Sequence, residues 1–134
     1  MVAAWSRSGL AALAASGVVL GVVSNADGTV ATQLSEHRLA QVGPGPGVEL
    51  AVLVDSAAVD VAKPDPAIFT HALGPAGARP DRTWDVGDTV VLDVAAAQAA
   101  GIGALHLDPH GWCPRPDGHD HVADLDDVAA ALRW

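Results

Sequence analysis

The chain has 134 residues, enough for one domain with a real core but short for a two-layer enzyme that carries a lid. Its formal charge of −9 argues against nucleic-acid binding, which needs basic patches to displace counterions. Its longest apolar run, Leu10 to Val23, is too short to span a bilayer. Cys113 is the single cysteine, which excludes an internal disulfide and fits a reducing cytosol.

Helical and strand-like segments alternate, the pattern of a parallel sheet with helices on its faces. Trp5 to Ser16 reads as an Ala-rich helix stopped by Gly17. Val18 to Val23 is an almost continuous β-branched run, as in a strand buried on both faces. Arg7, the following apolar run and Ser24-Asn25-Ala26 also have the shape of a signal peptide, but helix, glycine turn and strand explain the same residues. The expectation is that this segment stays attached and the protein is cytoplasmic.

Thr29 to Ala40 reads as a helix, and Gly43-Pro44-Gly45-Pro46-Gly47 as a loop rather than a domain linker. Leu50 to Val54 is the next strand. Asp65 is placed to cap a helix that begins at Pro66 and carries Ile68, Phe69, Ala72 and Leu73. A strand at Thr83 to Val86, a helix at Val90 to Ala100 capped by Thr89, a strand at Ile102 to Leu107 and a helix at Leu125 to Leu132 complete the pattern. Asp108 to His121 reads as a Pro/Gly-rich surface loop, because its His and Cys spacing matches no standard zinc pattern. His37 and His71 fall on predicted helices and read as surface or core-edge residues. The whole chain is read as a single domain, 1–134.

Polar residues recur where these apolar strands end. Ser24-Asn25 closes the first, Lys63-Pro64 follows the second, and Gly87-Asp88 closes the third, with Asp93 beyond it. Ligands of doubly wound sheets bind beyond the carboxyl ends of the strands, so these residues can converge. A hydroxyl and helix amides can bind phosphate, a lysine can neutralise its oxygens, and two carboxylates can hold Mg²⁺. Taken singly, Ser24 is explained as a helix cap and either Asp as a helix-dipole acid. Lys63 is the only lysine and precedes Pro-Asp-Pro, which fixes its direction.

Together the segments 17–25, 62–69 and 86–102 resemble the second, third and fourth motifs of the haloacid dehalogenase-like (HAD) hydrolase superfamily, capped subfamily I type. They occur in order, with 39 residues from Ser24 to Lys63 and 25 from Lys63 to Asp88. The resemblance implies a Rossmann-like parallel sheet with helices on both faces. It also implies Mg²⁺-dependent hydrolysis of a small phosphorylated metabolite through an aspartyl-phosphate. In that scheme Ser24, Asn25 and Lys63 bind phosphate, and Asp88 and Asp93 hold Mg²⁺. Leu92 stands where the family often has Asn, a departure in the outer support of the metal.

The family's first motif, Asp-x-Asp-Gly-Thr, carries the nucleophile and the general acid on a central strand ahead of a cap domain. These 134 residues contain neither that motif nor the cap. Asn25-Ala26-Asp27-Gly28-Thr29 has a similar shape, but the preceding residues resemble the helix before the second motif, and an amide is a poor nucleophile. The expectation is therefore a partial core, inactive alone, with two strand edges lacking partners. A truncated gene, association with a chain that supplies the strand (or self-association), and a non-catalytic binding module all account for this. The 2-haloacid dehalogenase branch is the alternative chemistry, because Asn25 sits beside Ser24.

Overall fold

The computed structural model describes residues 7–87, 90–108, 113, 120–123 and 127–128. Helix α1, Arg7–Ala15, buries Leu10 and Leu13, and Gly17 ends it with a φ of +89° that side chains other than glycine rarely adopt. Strand β1 is Gly21–Ser24, shorter than the apolar run suggests. It pairs in parallel with β4, Val52–Asp55, and with no other strand among the described residues. Val19, read as part of a strand buried on both faces, is 69% exposed, because no described strand pairs with the start of that run.

Helix α2 is Val30–Glu36 rather than the longer segment expected. Arg38 adopts a left-handed φ of +52°, and the Leu39 N–H returns to the Leu34 carbonyl, so the helix closes early and Ala40 enters a strand instead. The short parallel strands β2, Ala40–Val42, and β3, Val48–Leu50, flank the glycine-proline loop. The Gln41 amide fills that loop, donating to the Gly43 and Gly47 carbonyls and accepting from the Gly47 N–H. A four-residue helix not expected from sequence, α3 at Ser56–Val59, follows β4.

Helix α4, Ala67–Ala76, buries Ile68, Phe69 and Ala72, and the Asp65 carboxylate accepts from the Ala67 N–H. Strand β5, Trp84–Gly87, leads to a π-helical turn at Val90–Val94 and then to α5, Ala95–Ala99. The expected Thr89 cap and most of the final helix lie outside the described residues. Strand β6, Gly103–Leu107, pairs in parallel with β5 and with β7, Asp120–Val122. β7 corrects the reading of 108–121 as loop throughout. Its three residues are too short for an alternation signal in the sequence, and pairing with β6 is what makes them a strand.

Helices lie on both faces of the strands. Val22 of β1 packs with Leu10, Leu34 and Leu105, while its neighbour Val23 packs with the cluster of Val54, Ile68, Phe69 and Ala96. The architecture is α/β and Rossmann-like, but its sheet comes in two main pieces. No backbone hydrogen bond joins β1 to β5 among the described residues. A cavity of about 620 Å³ is lined by both, with Val19, Leu20 and Val23 on one side and Trp84, Asp85 and Val86 on the other.

Leu50, 1% exposed, anchors one cluster, and Ile68, fully buried, anchors the other. Truncating either to Ala is expected to cost about 2–5 kcal/mol. Because the clusters share no buried member, the double variant should lose the sum to within about 0.5 kcal/mol. Urea denaturation of the four proteins measures this, and a large coupling between the two sites would contradict two separate cores.

Candidate functional site

Of the residues singled out from the sequence, Ser24, Asn25, Lys63 and Asp93 are described, and contacts link the last three at one edge of the structure. Ser24 ends β1, opposite Asp55 of β4. Asn25, next in the chain, holds the lysine loop by its backbone. Its amide nitrogen donates to the Lys63 carbonyl at 2.9 Å, and its amide oxygen accepts from the Lys63 N–H at 2.8 Å. With the backbone fixed, the Lys63 side chain reaches across to the π-helical turn and forms an ion pair with Asp93. Both side chains are 9% exposed, so the pair is largely desolvated.

Asp93 approaches the backbone of β5 so closely that only glycine fits beside it. A Cβ on Gly87 would sit 2.2 Å from the Cβ and Cγ of Asp93. The glycine before Asp88 is thus a clearance for the second acid. π-helical turns often occur at functional sites, and this one sets the position of Asp93. Asp88, the other expected metal ligand, lies outside the described residues.

Two further carboxylates belong to this edge and were not singled out by sequence. Asp55 is buried, and its Oδ2 accepts from the N–H groups of Gly28 and Val30 while its Oδ1 accepts from Ala57 N–H. One side chain therefore caps both α2 and α3. This corrects the expectation that the amides opening α2 are open to an anion, since a built-in carboxylate already holds two of them. The signal was present as a strand-ending Asp followed by Ser56 and a short Ala-rich segment.

Asp85 lies within β5 and lines the cavity beside β1. Its Oδ2 is shut off from solvent and has no hydrogen-bond partner among the described residues. Burial raises its pKa to about 7, with the Lys63 charge opposing and Asp93 adding to the rise. A charged residue inside an apolar strand was the sequence signal.

The look-alike segment 25–29 is a surface turn between β1 and α2. Asp27 is exposed and accepts from both the N–H and the hydroxyl of Thr29, which lowers its pKa. Its carboxylate is spent on the local turn.

The donor set at this edge suits a hard cation. Asp85 and Asp93 are oxygen donors near one another, the Gly87 clearance admits the Asp93 carboxylate against the strand, and Lys63 offsets part of the acidic charge.

A family model described as haloacid dehalogenase-like hydrolase matches residues 6–101. The haloacid dehalogenase-like hydrolase domain-containing protein 3 of Danio rerio is 36% identical over 122 residues, covering 90% of this chain and 44% of that protein. The phosphoserine phosphatase of Thermus thermophilus is 36% identical over 67 residues, or 50% of this chain and 27% of that protein. Among solved structures, a HAD phosphatase from Thermococcus onnurineus superposes with a TM-score of 0.79 at 22% identity, covering 92% of this chain and 54% of that one. A magnesium-bound HAD hydrolase from Bacillus subtilis superposes with a TM-score of 0.76 at 16% identity, covering 95% and 54%. The chain thus spans about half the length, or less, of these relatives.

Asp85 provides a pH test of the site. Its folded pKa of about 7 exceeds the usual 3.8, so the folded state holds this proton more tightly than the unfolded state. Its contribution to stability is therefore full below about pH 4 and lost as pH rises through 7, at about 1.4 kcal/mol per pH unit. Asp85→Asn is expected to raise the melting temperature at pH 8 and to change it little at pH 4. Thermal melts of both proteins across that range check this, and an equal shift at both ends would contradict the assignment.

Proposed function

The chain belongs to the haloacid dehalogenase-like hydrolase family, and within it we propose that these residues form the phosphate- and Mg²⁺-binding part of a phosphatase core acting on a small phosphorylated metabolite. The observation that carries this reading is the Asn25–Lys63–Asp93 chain of contacts, which brings three residues distant in sequence to one edge. The likeness to a phosphoserine phosphatase over half the chain supports the same class of substrate.

Each residue has a definite task in that reading. The Ser24 hydroxyl donates to a phosphoryl oxygen. The Lys63 ammonium neutralises phosphoryl charge and keeps an attacking carboxylate ionised, and the Asn25 clamp fixes the backbone from which it reaches. Asp93 and Asp88 are the residues that would hold Mg²⁺, with Asp85 near Asp93. Bound Mg²⁺ supplies charge neutralisation between the phosphate and an incoming nucleophile.

Among the described residues no group at this edge is assigned the attack on phosphorus. The attacking carboxylate and the general acid belong to a first-motif strand, and the cavity between β1 and β5 is where that strand docks. Two parallel strands whose facing edges have no strand partner among the described residues, with an apolar lining, offer hydrogen bonds and burial to a third. The strand comes from a further segment of a longer protein or from an associated chain, and self-association covers the same edges in its absence.

The dehalogenase reading is weaker. In that branch the residue beside the serine holds a substrate carboxylate, whereas the Asn25 amide is occupied at both ends by the Lys63 backbone. Hydrolysis of a soluble metabolite and a single thiol both accord with a cytoplasmic setting. Among the described residues no helix is long and apolar enough to cross a membrane.

Phosphate release from a panel of sugar, nucleotide and two-carbon phosphates tests the proposal. The 134 residues alone should show no Mg²⁺-dependent turnover above background. Joined to a first-motif strand and cap from a relative, they should gain it, and Lys63→Ala should then lower kcat/KM by about 100-fold or more. Mg²⁺-dependent turnover by the unaided chain, abolished by Asp27→Asn, would overturn this account.

A further inference from the structure

A second group of ligand-type side chains lies on the outer strands, away from the cavity. His106 of β6 and His121 of β7 are direct partners in the parallel register, so their side chains leave the sheet on the same face. Their rings meet edge to face with centroids 5.1 Å apart. Cys113 comes from the intervening connection to the same place. One ligand atom from each of the three lies within 4.8 Å of the others.

We propose that His106, Cys113 and His121 form a binding site for a borderline-soft divalent cation of the zinc type, with Asp108 positioning one of its histidines. Tetrahedral Zn²⁺ with two imidazole nitrogens and one thiolate needs ligand atoms about 3.4–3.6 Å apart. The separations here, none above 4.8 Å, therefore close by at most about 1.4 Å on binding. Side-chain rotation supplies this, since Cys113 is half-buried and His121 exposed, while His106 is buried and fixed.

Asp108 is arranged as an outer-shell carboxylate. Its Oδ2 lies 3.4 Å from His121 Nδ1 and accepts from the Cys113 N–H at 3.2 Å. A carboxylate on Nδ1 selects the tautomer that leaves Nε2 as the metal ligand, and the same oxygen tethers the backbone of the cysteine. Edge-to-face packing alone accounts for the two rings, but not for a thiol delivered to them by a backbone bond to that carboxylate.

The site is independent of the acidic edge in chemistry though near it in the sheet. Gly87, His106 and His121 are successive register partners across β5, β6 and β7. Asp93 takes the space above Gly87 with hard oxygen, and the next two columns offer nitrogen and sulfur. Hard Mg²⁺ prefers the first and zinc-type ions the second. Among the described residues three side chains supply ligands, and tetrahedral Zn²⁺ takes a fourth. Binding would fasten the connection at Cys113 to both outer strands.

Cobalt(II) titration of the full chain tests the proposal directly. We expect a thiolate-to-cobalt charge-transfer band in the near ultraviolet and intense tetrahedral bands in the visible, both lost on adding Zn²⁺ and unaffected by excess Mg²⁺. Cys113→Ser should abolish the charge-transfer band. His121→Ala, an exposed change compatible with folding, should weaken Zn²⁺ binding by more than about 100-fold, and Asp108→Asn by about 10–100-fold. Cobalt binding without a charge-transfer band, or Zn²⁺ affinity insensitive to Cys113→Ser and His121→Ala, would overturn the site.

Discussion

The contact between the Lys63 ammonium and the Asp93 carboxylate holds the working edge of this protein together. Lys63 is tied through its backbone to Asn25, at the end of β1, while Asp93 stands against Gly87, at the end of β5. The pair therefore links two groups of strands that share no backbone hydrogen bond among the described residues. A largely desolvated pair of this kind is costly to break, on the order of 3–5 kcal/mol when one partner is removed, because the other charge is left unpaired. Its net contribution to folding is smaller, since both groups gave up water to form it. Its value lies in position: a cation and an anion are fixed at the strand ends, where ligands of such sheets bind.

The rest of the edge follows from that constraint. A residue larger than glycine at position 87 would push Asp93 off the strand. Asp85, one turn of the pleat earlier, feels both members of the pair, and its buried oxygen remains without a hydrogen-bond partner among the described residues. Burying a polar group without compensation is expensive, and proteins tolerate it mainly where binding supplies the missing partner. Asp55 shows the opposite economy, with both oxygens engaged by the backbone of two helices. One carboxylate builds the scaffold and the other faces the cavity.

Much of this was legible in the sequence because strand-ending polar residues follow strong apolar runs. Ser24, Lys63 and Asp93 stand out in that way, and the alternation of helices and strands points to the parallel α/β architecture. Other features depend on long-range contacts that local pattern does not encode. β1 is shorter than its valine-rich run because among the described residues β4 alone pairs with it, and α2 ends early because the chain turns left-handed at Arg38. β7 exists through its register with β6, so the meeting of His106, His121 and Cys113 was hidden in a segment with no regular ligand spacing. Asp55 and Asp85 carried local signals, an acid that ends a strand and an acid inside one, but their tasks depend on partners distant in sequence.

The central claim is that the residues joined by the Lys63–Asp93 pair receive phosphate and a divalent cation together. Amide NMR shifts of the chain during titration with inorganic phosphate, at fixed Mg²⁺, measure this most directly. The account predicts saturable shifts at Ser24, Asn25, Lys63 and Asp93 that weaken when Mg²⁺ is withheld, with His106 and His121 little changed. Shifts confined to the outer strands, or none at Ser24 and Lys63 at saturating phosphate, would contradict it.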